Sequence, residues 1–123
     1  MTTLFETQQA ALAQGRLTFQ RCAQCRHAWL PPREECPHCL SADWAWEGAR
    51  GDARLISWVV YHTAYDDSVR DRLPYNVAVV ELTEGPRLIS NVLAPPAALQ
   101  GDMALQLQIE QQGERWLARF APA

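Results

Sequence analysis

The four cysteines of the chain fall into two tight pairs, Cys22-Ala23-Gln24-Cys25 and Cys36-Pro37-His38-Cys39, with ten residues between them. Two Cys-x2-Cys knuckles at this spacing bring four soft thiolates to one point, where a single Zn²⁺ takes them tetrahedrally. A segment this short buries too little apolar surface to hold itself, so the metal supplies folding energy and its role is structural. Disulfides fit the pattern less well. A bridge within either pair closes a very small ring, and bridges between pairs belong to an oxidising compartment. The opening stretch, Met1 to Gln9, has neither the basic start nor the apolar run of a secretion signal, so a cytoplasmic location is expected, where thiols stay reduced.

A length of 123 residues suits one domain, or a small domain with an appendage. No apolar run approaches the ~18 residues of a membrane span, and no membrane association is expected. The formal charge of −3 argues against a large electrostatic footprint for nucleic acid. All 11 basic residues are arginine, which excludes Schiff-base chemistry and a phosphate-loop lysine. Any phosphate or carboxylate bound here meets guanidinium forks instead.

Three regions follow from patterning: an N-terminal helix (1–15), a zinc ribbon (16–47) and a β-barrel (48–123). Thr3 is placed to cap the helix with Glu6 three residues on, and Gly15 to end it. Leu4, Phe5, Ala11 and Leu12 form a thin apolar stripe interrupted by Gln8 and Gln9, so the helix needs a partner surface, either its own domain or another subunit. In the ribbon, Leu17–Arg21 and His27–Leu30 read as two short strands over the metal, and Pro31-Pro32 stiffens the return to the second knuckle. Trp44 and Trp46 alternate with Ala45 as a strand that seats the ribbon on the following domain. After Gly48 the period becomes two. Strands are predicted over Leu55–Tyr61, Tyr75–Leu82, Arg87–Leu93, Met103–Glu110 and Trp116–Phe120, with Ala94–Asp102 as a loop holding a helical turn. Five short strands with a longer break after the third are the count and spacing of an OB-type barrel, and closure removes the edges of an open sheet.

The order helix, ribbon, barrel, with the strings Pro31-Pro32-Arg33-Glu34-Glu35-Cys36-Pro37-His38-Cys39, Ala53-Arg54-Leu55-Ile56-Ser57-Trp58, and Pro74-Tyr75 leading to Val80-Glu81-Leu82-Thr83-Glu84-Gly85-Pro86-Arg87, resembles the acyl-CoA-associated zinc-ribbon and OB-fold proteins, long catalogued as a domain of unknown function. The resemblance runs from about Gly15 to Pro122. It implies a mainly β fold with a short N-terminal helix, a rubredoxin-like zinc ribbon and a five-stranded OB-fold barrel. It also implies an accessory role beside thiolase-like enzymes, sterol side-chain aldolases or enoyl-CoA hydratases, bridging subunits or helping to hold coenzyme A. Two positions depart from the family pattern: Arg26 stands where glycine usually follows the second cysteine, and Leu40 where a small residue often follows the fourth. Glycine there relieves a turn with positive φ, so Arg26 is expected to strain that turn or to force another.

With Cys22, Cys25, Cys36 and Cys39 all on one ion, no thiol nucleophile and no open metal position remain, and no catalytic residue is expected. His27 and His38 read as exposed or supporting residues of the ribbon. His62, with Asp66 and Asp67 close behind, has the makings of an oriented base, but a histidine in a polar barrel loop is more often a bystander. Arg70 and Arg72 in that loop are candidates for a phosphate, diluted by Asp66, Asp67 and Asp71. Arg33, behind the prolines, is either a coenzyme A phosphate contact or half of a structural salt bridge to Glu34, Glu35 or another subunit, the second being favoured. Trp29, Trp44 and Trp46 are either core or interface. The expected function is a non-catalytic scaffold that binds a thiolase-like, hydratase or aldolase subunit, with self-association as a further assembly mode. The competing reading is a nucleic-acid-binding ribbon and OB module, which the interleaved acidic residues oppose.

Overall fold

Helix α1 (Leu4–Ala13) begins where the sequence supplies a cap: Thr3 is extended and its hydroxyl accepts the Glu6 N–H at 3.0 Å. It ends in a Schellman turn on Gly15 (φ +83°), with the Gly15 N–H on the Leu12 carbonyl and the Arg16 N–H on the Ala11 carbonyl, both at 2.9 Å. The computed structural model describes residues 2–62 and 73–123. The two glutamines that interrupt the apolar stripe turn out to be anchors. The Gln9 amide donates to the Trp116 carbonyl and accepts the Trp116 N–H, each at 2.8 Å, while Gln8 Nε2 donates to the Thr18 carbonyl at 3.3 Å. Leu12 enters the main core, so the helix packs on its own chain.

The ribbon is a three-stranded antiparallel sheet of β1 (Thr18–Cys22), β2 (Ala28–Trp29) and β3 (Trp44–Gly48), in the order β2-β1-β3. The predicted hairpin over the metal is present. The Trp44–Trp46 strand, expected to seat the ribbon on the barrel, instead pairs within the ribbon, from Thr18 opposite Gly48 to Cys22 opposite Trp44. Seating falls to Leu17 and Phe19, fully buried in one core with Ala53, Leu55, Val80, Leu82, Leu105 and Phe120 of the barrel. Ala49 N–H closes the junction on the Leu17 carbonyl at 2.8 Å.

Five strands form the second sheet: β4 (Asp52–Tyr61), β5 (Tyr75–Leu82), β6 (Arg87–Ser90), β7 (Ala104–Gln112) and β8 (Arg115–Pro122), in the order β6-β5-β4-β7-β8. Along β5 the buried residues are Asn76, Ala78, Val80 and Leu82, the alternation of a strand with one face on the core. Strand β4 serves both halves of the sheet because it bends. Its register against β5 shifts between Leu55 and Ser57, leaving Ile56 as a bulge, and only Asp52–Arg54 pair with β7. A single 3₁₀ turn, Pro96–Ala98, fills the predicted break before β7.

The sheet curls into a half-barrel whose seam is narrower than the sequence suggests. Strand β6 stops at Ser90, not Leu93, because the buried Asn76 side chain takes over the backbone of Val92: Asn76 Oδ1 accepts the Val92 N–H and Nδ2 donates to the Val92 carbonyl, both at 2.8 Å. Val92 then meets Phe120 in one parallel bridge, flanked by Leu93 N–H to the Phe120 carbonyl (2.7 Å) and Phe120 N–H to the Asn91 carbonyl (3.1 Å). Among the described residues, no helix is long and apolar enough to cross a membrane. Replacing Asn76 by alanine strands two buried backbone groups at this seam and should cost about 2 kcal/mol of stability. Urea unfolding followed by tryptophan fluorescence reads this as a lowered midpoint, and a midpoint equal to wild type contradicts the seam assignment.

Candidate metal centre

Two copies of one turn build the cysteine site. In the first knuckle the Arg26 N–H bonds the Cys22 carbonyl (3.1 Å) and the Cys22 N–H bonds the His27 carbonyl (2.8 Å). Fourteen residues on, the Leu40 N–H bonds the Cys36 carbonyl and the Cys36 N–H bonds the Ser41 carbonyl, both at 2.8 Å. Each turn aims two backbone N–H groups at its first sulfur: Gln24 and Cys25 on Cys22 Sγ at 3.3 and 3.5 Å, His38 and Cys39 on Cys36 Sγ at 3.4 and 3.5 Å. Arg26 (φ 67°) and Leu40 (φ 68°) both adopt the left-handed conformation. The usual turn is therefore kept, and the strain expected at Arg26 is present at Leu40 as well.

All four Sγ atoms lie within 4.8 Å of one another, with Cys22–Cys39 at 3.5 Å and Cys25–Cys36 at 3.6 Å. A tetrahedral ion with Zn–S bonds of ~2.3 Å needs sulfurs ~3.8 Å apart, so the cluster fits a single such ion. The protonation pattern agrees. The Cys25 N–H, working against desolvation and with the Gln24 N–H, brings Cys22 down to about 6. Cys36 is also lowered: desolvation opposes this, and the Cys39 and His38 N–H groups outweigh it. The partners resist. The Ser41 N–H favours the Cys39 thiolate, yet desolvation and three sulfur neighbours push Cys39 up to about 12; against the His27 N–H and the Cys39 sulfur, Cys25 is raised by desolvation and by the Cys36 and Cys22 sulfurs. Four adjacent thiolates need a cation to share. Cys22 and Cys36 are buried with Trp29, and Trp44 packs against them as the small second core.

Around the sulfurs the aromatic residues form a continuous file. His38 meets His27 at 5.7 Å, His27 stacks on Trp29 at 6.2 Å, Trp29 meets Trp44 edge-on at 6.4 Å, and Trp44 meets Trp46 at 5.5 Å. Trp44 Nε1 donates to the Glu34 carbonyl at 2.8 Å, tying the proline-bearing arm to the sheet. The same arm is held from the other side by Gln20, a fully buried residue that accepts the Arg33 N–H (2.8 Å) and donates to the Arg33 carbonyl (2.6 Å). No salt bridge joins Arg33 to Glu34 or Glu35 among the described residues. Arg33 instead lines a cleft of about 440 Å³ between ribbon and barrel, with His27, Trp29, Pro37, Pro86 and Arg87. Arg87 and Gln20 are the contributors that sequence reasoning missed. No local signal marked the second, since β1 also carries the polar Thr18 and Arg21. His62 is exposed just past the end of β4. Asp66, Asp67, Arg70, Asp71 and Arg72 lie outside the described residues.

A four-cysteine ribbon sharing its core with a curled five-stranded OB-type sheet defines a class of small zinc-ribbon and OB-fold proteins. The model of the ChsH2 rubredoxin-like zinc ribbon domain matches residues 9–45, and that of the ChsH2 C-terminal OB-fold domain matches residues 46–110; the chain belongs to this family. It is 39% identical over 115 residues to the probable enoyl-CoA hydratase alpha subunit of Thermomonospora curvata, covering 92% of this chain and 35% of that protein. It is 37% identical over 78 residues to a DUF35 domain-containing scaffold protein of Methanothermobacter thermautotrophicus, covering 63% of this chain and 58% of that one. The chain thus spans from about a third to just over half the length of these curated relatives. Among solved structures, the Ltp2-ChsH2(DUF35) aldolase aligns with a TM-score of 0.82 at 36% identity, covering 94% of this chain and 91% of that one. A DUF35-family protein of Sulfolobus solfataricus aligns at 0.68 with 17% identity over 96% of this chain and 84% of that one, a likeness of fold.

Removing the metal should release the ribbon. Incubation with a chelator is expected to lower the melting temperature and free four reactive thiols, and an unchanged melting curve contradicts a structural ion. In metal-saturated protein, Arg26→Gly and Leu40→Gly should each add about 0.5–1 kcal/mol, since glycine relieves the left-handed strain by more than it adds chain entropy. Denaturant midpoints measure both, and a loss of stability in either variant contradicts the account of the turn.

Proposed function

We propose that this chain is a non-catalytic accessory subunit that binds an acyl-CoA-metabolising enzyme of the thiolase-like, hydratase or aldolase kind, with a structural Zn²⁺ in its ribbon. The observation that carries the reading is the likeness, over nine-tenths of both chains, to a ChsH2 chain whose structure is named as an aldolase together with Ltp2. The relative named as an enoyl-CoA hydratase alpha subunit points the same way. The chemistry of the chain supports it. All four thiols are grouped as one ligand set, and His27 and His38 make ring contacts with each other, and His27 with Trp29, in place of the carboxylate bond of an oriented base.

The finer part of the proposal is a contribution to coenzyme A binding through the ribbon–barrel cleft. Arg33 and Arg87 line it and no acidic residue does, so a phosphate group there meets the Arg33 guanidinium, beside an Arg87 whose Nε is held by Glu81 at 2.8 Å. Nucleic-acid binding finds less support. Arg21, Arg50, Arg54, Arg87 and Arg119 are each ion-paired to a glutamate, which breaks up the basic stripe that a nucleic-acid groove requires.

Affinity purification from the native cell tests the assignment. A stoichiometric partner identified by mass spectrometry as an acyl-CoA enzyme subunit is the expected result, and Arg33→Ala should weaken coenzyme A binding by that complex about tenfold. A solitary protein that shifts labelled single-stranded DNA at moderate salt overturns the reading. Unchanged coenzyme A affinity in the variant removes the cleft from it.

A further inference from the structure

The four sulfurs do not share one environment. Cys22 and Cys36 are fully buried in the small ribbon core with Trp29, whereas Cys25 and Cys39 are exposed. The residues that flank the two exposed cysteines, Gln24, Arg26, His38 and Leu40, are exposed as well. Close sulfur contacts cross from one knuckle to the other and pair unlike members. Exposed Cys39 lies 3.5 Å from buried Cys22, and exposed Cys25 lies 3.6 Å from buried Cys36. Each buried sulfur is also held by two backbone N–H groups, those of Gln24 and Cys25 on Cys22 and those of His38 and Cys39 on Cys36. An oxidant arriving from solvent therefore meets Cys39 or Cys25 first, with a fixed sulfur directly behind it.

We propose that the cluster is a peroxide-sensitive switch, in which exposed Cys39 and Cys25 are oxidised and then bridged to buried Cys22 and Cys36, so that the ribbon discharges its ion. The inference rests on the reading of the four cysteines as one metal site. In the first step the Cys39 thiolate attacks one oxygen of hydrogen peroxide: an S–O bond forms, the O–O bond breaks and hydroxide leaves, giving a sulfenic acid. The Cys22 thiolate then attacks the Cys39 sulfur: an S–S bond forms, the S–O bond breaks and a second hydroxide leaves. Two protons from solvent turn both hydroxides into water, so one peroxide is reduced for each pair of thiolates oxidised. Cys25 and Cys36 follow the same course. Closing either bridge shortens a contact of 3.5 or 3.6 Å to ~2.05 Å, which is under ~1 Å of travel for each sulfur. A bridge within one knuckle instead closes a very small ring. Thiolates, not disulfide sulfurs, are metal ligands, and the bridged pairs give up the ion. The bridge from Cys25 to Cys36 sits inside the one from Cys22 to Cys39, which keeps the knuckles together and ready to reload on reduction.

Hydrogen peroxide added to the ion-loaded full chain tests this. A zinc-sensitive dye should register release of the ion, with about two peroxides consumed for each ion freed. Arg26 and Arg33 separate the knuckles, so trypsin without reductant distinguishes the pairings. Mass spectrometry should find the peptide of residues 22–26 joined to that of residues 34–50, and its fragments should pair Cys22 with Cys39 and Cys25 with Cys36. A thiol reductant with Zn²⁺ should then restore the starting melting temperature. Separate peptides, each bridged within its own knuckle, overturn the proposal. So do sulfinic or sulfonic acids on Cys39 without a bridge, an ion retained under excess peroxide, or a release that reductant and Zn²⁺ fail to reverse. A chain that holds no ion before treatment overturns the metal reading itself, and the proposal with it.

Discussion

Four sulfurs held within 4.8 Å of one another are tolerable only when a positive ion shares their charge. Much else in the ribbon is arranged around that demand. Backbone N–H groups converge on Cys22 and Cys36, the left-handed residues Arg26 and Leu40 turn the chain tightly enough to deliver the second sulfur of each pair, and Trp29 and Trp44 cover the buried side. The small second core holds few apolar side chains, so electrostatics takes the part that burial plays in the barrel.

The ribbon is no loose appendage, because the barrel core extends into it. Leu17 and Phe19 are as deeply buried as Leu55 and Phe120, and they belong to the same cluster. Polar contacts lock the junction further: Arg21 reaches the Glu84 carbonyl at 3.4 Å, and the Glu84 carboxylate accepts the Arg50 N–H at 2.8 Å. These contacts fix the β5–β6 turn against β1 and the ribbon–barrel junction, and Gly85 and Pro86 of that turn line one cleft with Pro31 and Arg33. Helix α1, pinned to β8 through Gln9, closes the far side of the same core.

Period-two alternation made the barrel strands legible, since each buries one face, and the caps Thr3 and Gly15 marked the helix because they satisfy orphan backbone groups locally. The clustering of the four cysteines was legible for a similar reason: their spacing is itself the geometry. What stayed hidden depends on long-range partners. Gln8 and Gln9 look like interruptions until the backbones of Thr18 and Trp116 arrive beside them, and the early end of β6 depends on Asn76, sixteen residues before Val92. Nothing local announces that Arg87 will line one cleft with Arg33, because their neighbourhood is made by packing the ribbon on the barrel.

Strand β1 carries three duties in five residues. Phe19 anchors the barrel core, Gln20 grips both backbone groups of Arg33, and Cys22 belongs to the four-sulfur cluster positioned to hold an ion. The strand therefore acts as a rigid lever between the ion and the arm that bears Arg33. Should a ligand in the cleft bind better when the sulfurs hold their ion, thermodynamic linkage makes the dependence mutual, and ion binding strengthens by the same factor.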